Sequence, residues 1–421
     1  MLDPKYIREH ANEVKQNCKN RQVVVDVDAW LELDRRRGEL MREIESLRAK
    51  RNAIAEQMKS ADAQNRPNLI ETGKRIKEDI AQKEETHVVV ESAWKNALLA
   101  FPNQTHPDAH VGTDDSENVE IRTWGHVKQL THPVDHVAFA KKYDLIDFER
   151  GAKVAGAKFY FLKGKLALLE QALIRFALEY LVKEGFVPMV TPDLAKDEVL
   201  LGTGFQPRGP ESQIYSLENS DLSLIGTSEI TLGGYHKDEI LTEKSLPLLY
   251  AGLSHCYRTE AGAYGRESYG LYRVHQFSKV EMFVFCTPEQ SEAIHLELLR
   301  HEENIFQALE IPYRVVEICT GDLGGPAYRK YDLEAWMWGR GEGKGGWGEV
   351  TSASNCTDFQ ARRLNIRIKT ENGNIHAHTL NGTAIATSRT IIAILENHQN
   401  DDGTISIPKA LIPYCGFERI R

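Results

Sequence analysis

The sequence predicts an α+β protein in which a narrow antiparallel two-helix coiled coil precedes a larger domain built on an antiparallel sheet flanked by helices. Two observations carry this. Between Val27 and Trp94, apolar residues recur at steps of three, four and seven around one short polar break, which is the spacing of a coiled-coil seam. Beyond about Gly125, strand-like segments follow one another mostly through turns, without the regular helical crossovers that parallel strands require.

The first helix of the hairpin, Val27 to Met58, contains no proline and one glycine, and its seam runs through Leu33, Leu40, Ile44, Leu47, Ile54 and Met58. The polar stretch ADAQNRPN, with Pro67, interrupts it; the seam resumes at Leu69, Ile76, Ile80, Val90 and Trp94 and ends at FPNQTHPD. Two long helices joined by a short turn run antiparallel. At about 30 residues each and about 1.5 Å per residue, they reach roughly 45 Å from their base. Toward the tip the bases Arg48, Lys50, Arg51, Lys59, Arg66, Lys74, Arg75 and Lys77 outnumber the acids Glu56, Asp62, Glu71, Glu78 and Asp79. That surface reads either as a solvated coiled coil with paired charges or as a finger for phosphate backbone, whose binding weakens with salt.

The expected domains are therefore 1–102, carrying the arm, and 126–421, joined by a polar, proline-punctuated linker at 103–125. In the second domain a helix from about Leu162 to Glu184 presents the stripe Leu166, Leu169, Ala172, Leu173, Phe176, Tyr180 and Leu181 and stops at Gly185. The extended run GFVPMVTP follows. Further strands are expected at SLIGTSE, PLLYAGLSHCYRTE, YRVHQFSKVEMFVF, YRVVEIC and HAHTLNG, with helices over Pro288 to Leu309 and Ser388 to Gln399.

Composition excludes several classes. No apolar run approaches the roughly 20 residues that span a bilayer, and MLDPKYIREH lacks a secretory signal, so a cytoplasmic chain without a membrane partner is expected. The six cysteines are scattered, which signals neither a disulfide framework nor a structural zinc. A formal charge of −9 argues against a general nucleic-acid coat but leaves room for a local basic surface.

The chemistry concentrates in RTEAGAYGRESYGLYRVHQFSKVEMF, Arg258 to Phe283. It reads as strand, glycine-rich turn and strand, a hairpin able to fold over a ligand. Arg258 and Glu260 at i and i+2 share a face, and so do Arg273, Phe277 and Glu281, with His275 and Lys279 at matching parity. Arginine's planar fork suits phosphate oxygens, Phe277 offers a stacking surface, Glu260 can accept from an exocyclic amine and Glu281 can pair with an ammonium. A nucleotide and an amine are implied. The glycine loop WGRGEGKGGWGEV is no Walker loop, because Gly343 and Lys344 are followed by Gly345 instead of Ser or Thr. In the following strand, GEVTSASNC, Glu349 and Ser352 can supply oxygens to Mg²⁺ riding on ATP. NGTAIATSRTIIAILENHQ reads as a strand-to-helix junction with Arg389 in the opening turn, where a cation and helix amides can face phosphate together.

With these segments in this order, the whole chain resembles the bacterial-type seryl-tRNA synthetases, which are class II aminoacyl-tRNA synthetases. The helix and strand ending at Pro192 correspond to motif 1, Arg258 to Phe283 to motif 2, and Asn381 to Gln399 to motif 3. The resemblance implies a class II catalytic domain, ATP with Mg²⁺, L-serine and tRNA(Ser) as ligands, and a homodimer whose arm reaches tRNA bound at the other subunit; it leaves tRNA(Sec) open. It implies that Arg258 lies between α-phosphate and serine carboxylate, that Thr259, Glu260 and Val274 contact the nucleotide, and that Phe277 stacks on the ring. Arg273 and Arg389 would hold the outer phosphates, and Glu349, Val350, Thr351 and Ser352 the nucleotide and Mg²⁺. Serine would be held by Thr227, Ser228, Glu229, Glu281 and Thr383, with Asn381 beside them, and tRNA by Arg48, Arg51, Lys74 and Arg75. Ser228 stands where alanine is common and Thr383 where many bacterial members have serine. Two rival readings weaken on the sequence itself: a carrier-protein aminoacylase would lack the arm, and a catalytically dead tRNA-binding relative would be expected to lack a motif arginine.

Overall fold

A computed structural model describes residues 1–206, 213–261 and 270–421. The glycine-rich middle of the expected motif 2 hairpin loop, 262–269, lies outside the described residues. The chain divides into two compact units, Met1–Pro102 and Asn103–Arg421. No helix among the described residues is long and apolar enough to cross a membrane.

In the first unit, short helices α1 (Pro4–Glu9) and α2 (Ala11–Asn20) precede the long helices α3 (Val27–Ser60) and α4 (Arg66–Leu99). Asp26 starts α3 by accepting from the Ala29 amide at 2.9 Å, which satisfies one of the orphan donors of the first turn. The base of the hairpin is a small core of Ile7, Val14, Trp30, Leu98 and Phe101. Further out, the seam narrows to Leu40, Ile44 and Ile80, and ion pairs bridge the helices: Arg37 with Glu91, Lys83 with Glu43 at 2.5 Å and Arg48 with Glu84 at 2.6 Å. Such exposed pairs contribute at most about 1 kcal/mol each, so the seam, not the charges, holds the arm together. Arg51, Lys74 and Arg75 are exposed.

The second unit is organised by an eight-stranded sheet. Its strands in chain order are β1 (Val119–Trp124), β2 (Val187–Val190), β3 (Leu248–Tyr257), β4 (Gln276–Cys286), β5 (Tyr313–Glu317), β6 (Arg329–Met337), β7 (Gly346–Asn355) and β8 (His378–Ala386). Across the sheet they lie in the order β1-β5-β6-β7-β8-β4-β3-β2. All pairs are antiparallel except β2 with β3, which is parallel, the long segment 191–247 crossing over between them; helix α5 (Lys165–Lys183) precedes β2. Alternation along β4 sends Val280, Met282, Val284 and Cys286 into the main core. That core is closed by α5, by α7 (Ser291–Ala308) and by α8 (Thr387–Asn397). Phe283 and Phe285 pack on the opposite face in a smaller cluster.

Two expectations are corrected. The supposed linker 103–125 contains β1, which pairs with β5 at the sheet edge; its polar and proline-rich flanks conceal the six-residue run VEIRTW. The segment SLIGTSE is not one strand. A strand covers only Leu222–Leu224, and helix α6 (Ser228–Gly233) begins after Thr227, whose hydroxyl accepts from the Glu229 amide at 3.1 Å. A threonine in front of a glutamate fits either a strand or an N-cap, and here capping prevails.

The approach of α6 to β3 depends on Gly252. A Cβ there would lie 2.7 Å from Leu232 Cδ1 and 3.0 Å from Ser228 Oγ. We therefore expect Gly252→Ala to lower the stability of the second unit by about 1–3 kcal/mol, as overpacked sites do, measured by denaturant unfolding against wild type.

Candidate active site

One face of the sheet carries the polar side chains. Register sets Gly252 of β3 opposite Glu281 of β4, Ser254 opposite Lys279, and Glu281 opposite Thr383 of β8. Two irregularities bring further groups to this face. Between β6 and β7 the register shifts at Leu333/Glu334, so that Glu334 faces Glu349 while Asp332 faces Ser352. In a regular strand residues 349 and 352 would point to opposite faces; the extra residue lets both serve one side. A similar shift lies between Thr383 and Ile385.

These side chains line two adjoining cavities. The larger, about 390 Å³, is bounded by Thr227, Glu229, Glu281, Ser352, Asn381 and Thr383. The smaller, about 40 Å³, is bounded by Glu260, Tyr272, Val274, Phe277, Val350, Thr351 and Arg389. Arg258 and Glu349 border both. The Arg258 guanidinium lies 5.4 Å over the Phe277 ring, a cation–π contact, and its Nε donates to the Gly226 carbonyl at 3.3 Å. Arg389, near the start of α8, is aimed by two backbone acceptors, the carbonyls of Tyr272 at 3.4 Å and Glu349 at 3.1 Å, and stacks over the Tyr272 ring at 4.6 Å.

The larger cavity is lined by opposed charges, Glu229, Glu281 and Glu349 with Arg258, Lys279 and Lys330. Glu229 Oε1 accepts from Gln360 Nε2 at 2.8 Å and from Asn381 Nδ2 at 3.1 Å. The Thr383 hydroxyl donates to Glu281 at 3.2 Å, and Lys279 pairs with the same carboxylate. Burial, reinforced by the charge of Glu281, pushes the Glu229 carboxyl up to about 7. Burial works against ionisation of Glu349 too, but Arg389, Lys330 and Arg258 outweigh it and pull that carboxyl down to about 2; Arg389 Nη1 sits 3.1 Å from its Oε2. Asp332, paired with Lys330 at 3.2 Å, is pushed up to about 7 by burial, with Lys330 opposing.

Most of the residues expected from the sequence meet here, by a different route from the one expected. Strand β3 ends at Tyr257 and β4 begins at Gln276, so strand alternation does not aim Arg258, Glu260 or Arg273. Glu260 instead takes φ +49°, a left-handed conformation rare for a residue with a Cβ and typical of functional sites. Its carboxylate meets Arg273 Nη1 at 3.3 Å. Arg273 borders neither cavity; nor does Thr259, whose amide donates to the Gln213 carbonyl. His275 turns away and contacts the Arg258 carbonyl at 2.8 Å. Ser228 is a correction: it is fully buried, its hydroxyl donating to the Gly252 carbonyl at 3.1 Å, because as the first residue of α6 it faces β3. Sequence reasoning missed Tyr272, Lys330, Asp332 and Gln360. Nothing local marks Gln360, which arrives from a distant segment. Lys330 and Asp332 carried a signal in their i, i+2 spacing, which puts them, with Glu334, on one face of the strand RKYDLEAWM. Among the described residues no cluster of three or more His, Cys, Asp or Glu side chains is arranged to hold a metal.

A helix-backed, largely antiparallel sheet with an arginine just beyond its third strand and another at the start of a following helix is the architecture of a class II aminoacyl-tRNA synthetase. Accordingly, residues 214–398 match the tRNA synthetase class II core domain (G, H, P, S and T), and residues 1–105 match the seryl-tRNA synthetase N-terminal domain. The chain is 58% identical to the Serine--tRNA ligase of Rubrobacter xylanophilus over 100% of its own length and 99% of the relative's, and 56% identical to that of Treponema denticola over 100% of both. The crystal structure of seryl-tRNA synthetase from Pyrococcus horikoshii complexed with ATP superposes with a TM-score of 0.92 at 43% identity, covering 100% of this chain and 99% of that one. The cytoplasmic serine-tRNA ligase of Naegleria fowleri in complex with AMP gives 0.85 at 30% identity, covering 99% and 97%. The chain belongs to the seryl-tRNA synthetase family, the aminoacyl-tRNA ligases for serine.

The raised Glu229 carboxyl has a consequence for stability. Between about pH 4.5 and 7 the unfolded chain releases this proton before the folded chain does, so the Glu229 contribution makes stability fall as pH rises through that window. Glu229→Gln is expected to make the melting temperature decline less across that range, measured by thermal unfolding at a series of pH values.

Proposed function

We propose that the protein activates L-serine with ATP to seryl-adenylate and passes the seryl group to the 3′ end of tRNA(Ser). The observation that carries this reading is the position of Arg258 at the junction of the two cavities. An aromatic ring and a second arginine lie on one side of it, and paired carboxylates with a hydroxyl on the other. ATP takes the first side, with its base against Phe277 and Val274, its exocyclic amine toward Glu260 and its outer phosphates toward Arg389. Arg273 joins them by exchanging the Glu260 carboxylate for phosphate. Serine takes the second side, its ammonium toward Glu229, Glu281 and Thr227, and its hydroxyl toward Glu281, Thr383 and Asn381. Alanine gains none of the hydrogen bonds the hydroxyl makes, which is the basis for its rejection.

Serine's carboxylate is ionised at neutral pH, so it attacks the α-phosphorus without a general base; the protein's work is alignment and charge neutralisation. Glu349 and Ser352 fit Mg²⁺ carried by ATP: they are hard oxygen donors on one face, Glu349 stays ionised, and magnesium on nucleotides takes only one or two protein oxygens. The ion would supply neutralisation of the triphosphate charge.

The arm is the tRNA-binding element in this reading, with Arg48, Arg51, Lys74 and Arg75 on phosphate backbone, and recognition runs through shape instead of anticodon bases. A homodimer completes it. Support comes from exposed Leu168 and Val182 on α5 and Val187 and Val190 on β2, an apolar surface on motif 1 beside an open sheet edge. The enzyme acts in the cytoplasm.

Arg258→Ala should abolish serine-dependent exchange of pyrophosphate into ATP; normal exchange in that variant would remove the junction from the mechanism. Neutralising Arg48, Arg51, Lys74 and Arg75 should leave exchange intact while weakening tRNA(Ser) affinity and flattening its salt dependence by up to about one counterion per charge removed. A titration of binding against salt checks this, and the same charging assay with tRNA(Sec) tests the wider substrate range.

A further inference from the structure

Lys279 is a buried cation, 5% exposed, in the middle of β4. Its parity with Phe277 and Glu281 puts all three on the site face. Its ammonium pairs with the Glu281 carboxylate. Burying such a pair is seldom stabilising against apolar side chains of the same size, because desolvation offsets the attraction; packing alone does not call for a lysine here. A simple role would be counter-ion to Glu281. That role requires contact with the amino-acid cavity only, yet Lys279 borders both cavities, a property shared with Arg258, Glu349 and Thr383. Of these four, only Arg258 and Lys279 are cations, and they lie where serine's carboxylate must meet the α-phosphate.

We propose that Lys279 is a further catalytic residue of adenylate formation, its ammonium contacting a nonbridging α-phosphate oxygen and the serine carboxylate as they approach. This rests on the functional reading above. In the step, a carboxylate oxygen bonds to the α-phosphorus while the bond from that phosphorus to the oxygen bridging the β-phosphate breaks. The electron pair leaves with pyrophosphate, and no proton is transferred. Two anionic groups converge, and Arg258, held by the Gly226 carbonyl and the Phe277 ring, covers one side of them. Lys279 covers the sheet side. Glu281 holds the ammonium; serine, by engaging Glu281, loosens that pairing and releases N–H donors toward the phosphate.

The test compares wild type, Lys279→Gln and Lys279→Arg in single-turnover adenylate formation. Glutamine keeps a donor for Glu281 and removes the charge; arginine keeps the charge. We expect Lys279→Gln to form adenylate about 100-fold more slowly at saturating ATP and serine, with both KM values within about threefold of wild type, and Lys279→Arg to stay within about tenfold. Wild-type rates in Lys279→Gln, or a loss confined to serine KM, would reduce Lys279 to a support for Glu281 and overturn the proposal. If Lys279→Gln does not fold, ATP bearing sulfur at a nonbridging α-position decides. A contact predicts a thio effect that differs by about fivefold or more between wild type and Lys279→Arg for one stereoisomer, and equal effects overturn it. Absence of serine-dependent exchange in wild type would overturn the parent reading and this one with it; exchange in wild type with an equally fast Lys279→Gln overturns this one alone.

Discussion

The site depends on the alternation of β4. One strand face feeds Val280, Met282 and Val284 into the main core while the other presents Phe277, Lys279 and Glu281 to the ligand side. Because successive side chains point to opposite faces, the packing that stabilises the domain also fixes the positions of the polar groups to within the slack of a packed core. A register slip of one residue would put carboxylate and ammonium into the core and leucine-sized side chains at the phosphates.

Around that strand the electrostatics divide the face in two. Beside Phe277, Arg389 is held by backbone carbonyls and by Glu349, so the cation is aimed before any phosphate arrives. Preorganisation of this kind is where electrostatic catalysis gains most, since little reorientation accompanies the reaction. Beside Glu281 lies a second carboxylate, Glu229, whose proton is held more tightly than usual by burial and, secondarily, by the charge of Glu281. An ammonium ligand beside the two carboxylates favours their ionised forms. The same buried carboxylates that cost stability thus favour the amino acid.

The arm obeys a different logic. Its core thins from the cluster around Trp30 to a few buried aliphatics along the seam, and its bases stay in water. Its charges therefore contribute little to its own folding and remain available to a polyanion.

Much of this was legible in the chain. Heptad spacing defined the arm, residue by residue, because a coiled coil is stabilised locally along its own length. Motif 2 and motif 3 marked Arg258, Phe277, Glu281 and Arg389 through side-chain chemistry at short separation. Three things were not legible. The bulge that brings Glu349 and Ser352 to one face depends on how β7 pairs with β6. The burial of Ser228 depends on how closely α6 lies on β3, and the arrival of Gln360 at Glu229 joins residues far apart in the chain. Sequence determined which chemical groups the protein possesses and the periodic elements that carry them. Tertiary structure decided which of those groups share a cavity, because pairing register and helix docking are set by contacts that no local window of residues contains.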